Sequence, residues 1–156
     1  MPSVVPPDLA SPQLVEAWSV GAPRYVPSHG EDAAKAAFVW WNLLDAVMVE
    51  EQHGLPVKNN YMTGYVRELQ MRRMQQIVQQ ATRPDATRVT YCEIGTNGGH
   101  SSVAMLLADP RVHVHAFDLM TWPYSPRVVS LLSTAFAGRF EMHNGSSRVT
   151  VPASAC

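Results

Sequence analysis

The sequence predicts an α/β fold, a partial, doubly wound parallel sheet of about three strands behind an N-terminal helical extension. Three observations predict it. After Asp85, β-branched apolar runs alternate with helix-period segments in the order strand, helix, strand, helix, strand. From residue 33 to residue 81, apolar residues instead recur at helical spacing. The length of 156 residues suits one ordinary domain with an appendage.

Three segments follow in order. Residues 1–30 hold six of the chain's twelve prolines. Each proline fixes φ and removes a donor, so an irregular arm is expected, with Trp18 and Tyr25 as its anchors if it packs. Residues 31–84 form the helical extension. Glu31 and Asp32 place negative charge at a helix start, and Ala34, Ala37, Phe38, Trp41, Leu44, Val47 and Met48 make a stripe over Ala33–Val49 that Gly54 and Pro56 stop. Trp40 and Trp41 are expected to divide between surface and core. A second helix is expected from Asn60 to Ala81. Its apolar line is Tyr61 or Met62, Tyr65 or Val66, Leu69, Met74, Ile77, Val78 and Ala81, with the arginines and glutamines opposite.

Residues 85–156 carry the sheet. Arg88–Ile94 reads as a buried-type strand and Gly95–Gly99 as a turn. Ser101–Ala108 reads as a helix capped by Ser101 or His100, broken at Asp109-Pro110. Val112–Leu119 reads as the second strand. Ser125 or Pro126 to Ala137 reads as a helix with proline in its first turn, and Phe140–His143 as a short third strand.

Charge and cysteine content narrow the function classes. Lys+Arg number 12 and Asp+Glu 13, which gives no electrostatic basis for binding bulk nucleic acid or an anionic membrane. No run of about 18 apolar residues is present, so no membrane span is expected. The hydrophobic share of 46% excludes disorder throughout. Two cysteines, Cys92 and Cys156, cannot make a disulfide framework, so a reducing, cytoplasmic setting is expected. Cys92 is read as a buried structural thiol.

The chemistry concentrates at the first turn. Gly95 permits a sharp turn at the strand end, and Gly98 and Gly99 let backbone approach a ligand. The helix that follows offers free N–H groups and a positive dipole end. Open α/β sheets bind ligands at the carboxyl ends of such strands. Glu93 stands two residues before Gly95, and Asp118 ends the next strand 23 residues after it. An acid in the second position accepts hydrogen bonds from ribose hydroxyls. The dinucleotide pattern Gly-x-Gly-x-x-Gly is broken by Asn97 and His100, which weakens a pyrophosphate-binding, NAD-type reading. A carboxylate at Glu93 suits a cationic ammonium instead. A ribose together with an ammonium describes S-adenosylmethionine.

Glu93-Ile94-Gly95-Thr96-Asn97-Gly98-Gly99-His100-Ser101 resembles the first motif of class I S-adenosylmethionine-dependent methyltransferases. Its Asn-Gly-Gly-His-Ser form is similar to the group called methyltransferase domain 24. Asp118 matches that family's ribose-binding acid. Asn144-Gly145-Ser146-Ser147 resembles its turn after the third strand, with Ser146 where the family often has Asp. The resemblance covers residues 89–152 and implies a Rossmann-like fold. It implies S-adenosyl-L-methionine as cofactor, with Glu93, Gly95, Thr96, Asn97, Gly98, Gly99, His100, Ser101, Asp118 and Ser146 around it, and a methyl acceptor of unknown chemistry.

In the family a fourth strand pairs with the first. The chain stops after the third, so it is expected to be the N-terminal half of such a domain. The first strand then forms a bare edge open to self-association. The alternative is a truncated, non-catalytic remnant or interaction module. Acceptor bases follow the fourth strand in the family, so no catalytic residue is named. His113 and His115 alternate on one strand face near His143. No third ligand is evident there, and no metal is expected.

Overall fold

The computed structural model describes residues 31–51, 67–154 and 156. The proline-rich arm, with Trp18 and Tyr25, and the expected start of the second helix lie outside the described residues. The elements are α1 (Glu31–Glu51), α2 (Glu68–Ala81), β1 (Val89–Ile94), α3 (His100–Ala108), β2 (Val112–Asp118), α4 (Ser125–Ala135), β3 (Phe140–Asn144) and a single turn, α5 (Ser147–Thr150). The sheet has three strands in the order β1-β2-β3, with both pairings parallel. This is the partial Rossmann-like α/β arrangement that the alternation of patterns predicts, but α1, α3 and α4 all pack on one face of the sheet, so the expected doubly wound arrangement is not seen among the described residues.

The stripe on α1 is buried as its spacing requires. Ala34, Ala37, Trp41, Leu44, Val47 and Met48 enter the core, while Phe38 and Trp40 stay half-buried at its margin. Trp40 packs on Phe136 with ring centroids 5.2 Å apart. α1 rests on α3 and α4, and α2 rests on α3. α3 is apolar nearly all round because it lies between this outer layer and the sheet.

The face of α2 differs from the expected one. Met74 and Val78 of the expected line do pack against the core, but Leu69 (81% exposed) and Ile77 (52%) point outward, and Met71 and Gln75 are buried instead. Two side-chain amides explain the rotation. Gln75 Nε2 donates to the carbonyl of Ala104 (3.0 Å), and Gln79 Nε2 donates to the carbonyl of Ala108 (2.9 Å). The carbonyl of Ala108 belongs to the last turn of α3, where intrahelical partners run out. The glutamines therefore hold the docked face rather than the solvent face.

The strands alternate faces. Val112, Val114, Ala116 and Phe140 join the core with α1, α3 and α4. The opposite face carries Thr90, Cys92 and Ile94 from β1, His113, His115 and Phe117 from β2, and Glu141 and His143 from β3. Thr90, Cys92 and Ile94 are exposed, so β1 is half-bare rather than buried on both sides. β1 is an edge strand, as expected, with no neighbour on its outer side among the described residues.

Cys92 is a further correction. It is exposed and bonded to Cys156, with Cα atoms 6.1 Å apart. The two cysteines do not make a framework, but a single bond needs only one pair. Here it ties the end of the chain across the open sheet face.

Candidate functional site

A cleft of about 290 Å³ opens where β1 and β2 end. It is lined by Ile94, Gly95, Asn97, Phe117, Asp118, Leu119, Thr121, Trp122, Gly145 and Ser147. The local chain path explains it. Gly95 N–H donates to the carbonyl of Phe117 (2.8 Å), and the chain leaves β1 through Gly95 at φ 85°. That angle is open to glycine and strained for most other residues. A Cβ built on Gly95 meets nothing within 4 Å, so the space beside it is open.

Asp118 organises both sides of the cleft. Its Oδ2 accepts the backbone N–H of Asn97 (2.9 Å), and its Oδ1 accepts that of Met120 (2.8 Å). Asn97 and Met120 both have positive φ, 49° and 56°. One carboxylate therefore fixes the two strained turns that frame the opening. Tyr124 O–H donates to Asn97 Oδ1, adding a clamp from the start of α4. Burial, helped by the Asp118 charge, pushes the Tyr124 hydroxyl up to about 12, so it remains a donor at neutral pH. Ile94 and Leu119 are 68% and 62% exposed, and Trp122 is 37% exposed, giving the cleft an apolar rim.

Glu93 lies elsewhere. Its carboxyl is buried under the first turn of α3, where the hydroxyls of Ser101 and Ser102 donate to its two oxygens. Burial pushes its pKa up to about 7, against the lowering effect of the two serine hydrogen bonds and with a smaller contribution from Asp118. Glu93 is not among the lining residues, and the expected contact with a ligand ammonium has no geometry to support it. Ser101 belongs to this internal network.

The other expected residues divide. Gly95, Asn97 and Asp118 line the cleft. Gly98 and Gly99 give their room to the protein's own side chains. A Cβ on Gly98 would fall 2.5 Å from Met48 Sδ, and one on Gly99 2.7 Å from Leu132 Cδ1. The N-cap of α3 is Gly99, at φ 78°, rather than Ser101 or His100. His100 is buried, with Nε2 2.9 Å from Asp45 Oδ1, while its carbonyl accepts from Trp41 Nε1 (3.0 Å). It joins α1 to the turn. Thr96 is buried with its hydroxyl unpartnered among the described residues. Ser146 is exposed at the N-cap position of α5, without a side-chain capping bond, and its neighbours Gly145 and Ser147 reach the cleft instead.

Sequence reasoning missed Leu119, Thr121 and Trp122. Their signal is an aliphatic and an aromatic side chain, Leu119 and Trp122, within four residues of a strand-ending acid. No protein-family model matches the chain, and no curated protein or solved structure is detectably similar to it. Among the described residues, no helix is long and apolar enough to cross a membrane.

Proposed function

We propose that the chain is an S-adenosylmethionine-binding domain of methyltransferase type, which takes the nucleoside part of the cofactor in the cleft between the ends of β1 and β2. The observation that carries this reading is Asp118 at the mouth of an apolar-rimmed cleft. Each of its oxygens accepts one backbone N–H, and a carboxylate has about four acceptor positions, so acceptors remain for two ribose hydroxyls. Leu119 and Trp122 offer apolar surface to a purine ring. The open space beside Gly95 admits the chain that joins the ribose to the sulfur. The volume of about 290 Å³ is at the lower end for ligand pockets, about 300–1,000 Å³, and suits the nucleoside part of the ligand.

The cofactor, when bound, supplies an electrophilic sulfonium methyl. The chain's own residues bind and orient it, and positioning is the larger share of such catalysis. Glu93 supports the turn from beneath, through Ser101 and Ser102. In a cytoplasmic setting glutathione keeps thiols reduced, so the Cys92–Cys156 bond is then the oxidised form of a pair that the fold brings together.

A second reading, a non-catalytic interaction module, is favoured by the edge of β1, which has no neighbour among the described residues, and by the exposed Ile94 at its end. Calorimetric titration of S-adenosylhomocysteine into the purified chain, with Asp118→Ala and NAD as controls, separates the two. Heat from the wild type that is lost in the variant supports the cofactor reading. No heat from a folded wild type removes that reading and leaves the module.

A further inference from the structure

We infer that His115, Glu141 and His143 form a binding site for a divalent transition-metal ion of the zinc class, on the sheet face opposite α1, α3 and α4. None of the three residues lines the cleft, although His143 stacks on Phe117, which does, and the proposal does not depend on what the cleft binds.

The donor atoms converge. His115 Nδ1 lies 3.1 Å from His143 Nε2, Glu141 Oε2 lies 3.7 Å from His115 Nδ1, and Glu141 Oε1 lies 3.5 Å from His143 Nε2. Ligands held about 2.0–2.1 Å from a tetrahedral zinc ion stand about 3.3–3.4 Å from one another. The observed separations straddle that value, with the two Glu141 distances made by different oxygens; the imidazole rings, 12° from parallel with centroids 5.4 Å apart, turn toward a common point to seat an ion.

The backbone preorganises the set. His115 and Glu141 are direct partners on neighbouring parallel strands, and His143 is the partner of Phe117. All three side chains therefore share one face of a rigid ladder. The His143 ring stacks on Phe117 with centroids 4.6 Å apart. His115 is buried, whereas the Glu141 side chain is 63% exposed and leaves the group open to solvent. A cavity of about 160 Å³ lined in part by Arg88, His113, His115 and Glu141, but not by His143, adjoins two of the three ligands.

Capture requires a change of tautomer at His115. Arg88 Nη2 lies 3.3 Å from His115 Nε2, and a guanidinium only donates. His115 Nε2 therefore accepts, the proton sits on Nδ1, and Nδ1–H donates to His143 Nε2. His143 thus already presents a lone pair at the ligating nitrogen. For His115 the proton must move from Nδ1 to Nε2, which displaces Arg88. Arg88 is exposed and has solvent to move into. Two imidazole nitrogens and one carboxylate oxygen suit zinc, whereas calcium and magnesium need more oxygen ligands.

The test is a zinc titration of the whole chain, read by calorimetry, after a thiol assay has shown that both cysteines are oxidised. One ion per chain is expected, with His143→Ala and Glu141→Gln each weakening uptake by at least about tenfold, the loss that outer-shell partners alone can cause. Both substitutions are checked for folding by circular dichroism. Glu141→Gln, at an exposed position, keeps the test alive if His143→Ala does not fold. Absence of one-to-one uptake by the wild type, or undiminished uptake by either folded variant, overturns the three-ligand site.

Discussion

The carboxylate of Asp118, at the end of β2, accepts the backbone N–H of Asn97 from the turn after β1 at 2.9 Å. With the matching bond to Met120, one side chain closes both turns at the mouth of the cleft. Replacing it has two separable effects. Asp118→Asn keeps one oxygen for a turn N–H but presents an amide where the second N–H and the ribose hydroxyls need acceptors. Each lost charged hydrogen bond is worth about 1.5–3 kcal/mol. Binding of S-adenosylhomocysteine should therefore fall by at least about tenfold, while loss of one turn hydrogen bond lowers the thermal midpoint by about 3–12 °C, at about 2–4 °C per kcal/mol for a chain of this size. Unchanged affinity would remove Asp118 from the proposed contact.

Glu93 gives a pH dependence with a defined sign. Its folded pKa of about 7 lies above the ordinary value of 4.5. Between those values the folded state binds the proton and the unfolded state does not, so stability falls as pH rises through this window. The shift corresponds to about 3 kcal/mol lost between pH 4.5 and pH 7. Glu93→Gln should flatten that part of the profile in urea titrations at stepped pH. A profile of equal slope in the variant would show that other groups set the dependence.

The glycines of the turn should separate stability from binding. Gly99→Ala combines positive φ, about 1–2 kcal/mol, with overlap against Leu132, about 1–3 kcal/mol. Gly95→Ala has the backbone term alone, since its Cβ meets nothing within 4 Å. Denaturant midpoints should therefore rank Gly99→Ala as the more destabilised. Ligand titration should rank Gly95→Ala as the more impaired, because its added methyl enters the cleft. The reverse order in either measurement contradicts the roles given to the two positions.

The Cys92–Cys156 bond closes a loop with a sequence separation of 64. Chain-entropy arguments assign such a loop about 4 kcal/mol of stabilisation. A thiol assay on the oxidised chain should find no free cysteine, and reduction should lower the denaturation midpoint and expose residues 147–154 to proteolysis. Free thiols in the fully oxidised, folded chain would show that the pair does not bond.

Much of this was legible in the sequence, and the reasons it was not complete are local. The α1 stripe and the strand-helix alternation were legible because each follows from a single periodicity. The face of α2 was legible only in part: Met74 and Val78 pack inward as their spacing predicts, Leu69 and Ile77 do not. Gln75 and Gln79 reach backbone carbonyls of another helix, and a hydropathy pattern treats an amide as solvent-facing. Asp118 was legible because it ends a strand beside a glycine turn. The direction of Glu93 was not, since its partners Ser101 and Ser102 accept either a ligand-facing or an inward carboxyl in the same motif. Glu141 was missed as a neighbour of His115 because that contact depends on parallel register, which the sequence does not specify. Cys92 was misread because the open side of β1 looks, in sequence, like that of a central strand.

The central claim is that the cleft at Asp118 holds the nucleoside part of S-adenosylmethionine. Titrating S-adenosylhomocysteine into isotopically labelled protein and following backbone amide resonances tests it most directly. The account predicts saturable shifts at Gly95, Asn97, Leu119 and Trp122, with His115 and Glu141 unmoved. Saturable binding that shifts other residues, or no shift at the cleft of a folded chain at millimolar ligand, which corresponds to a binding free energy weaker than about −4 kcal/mol, would contradict it.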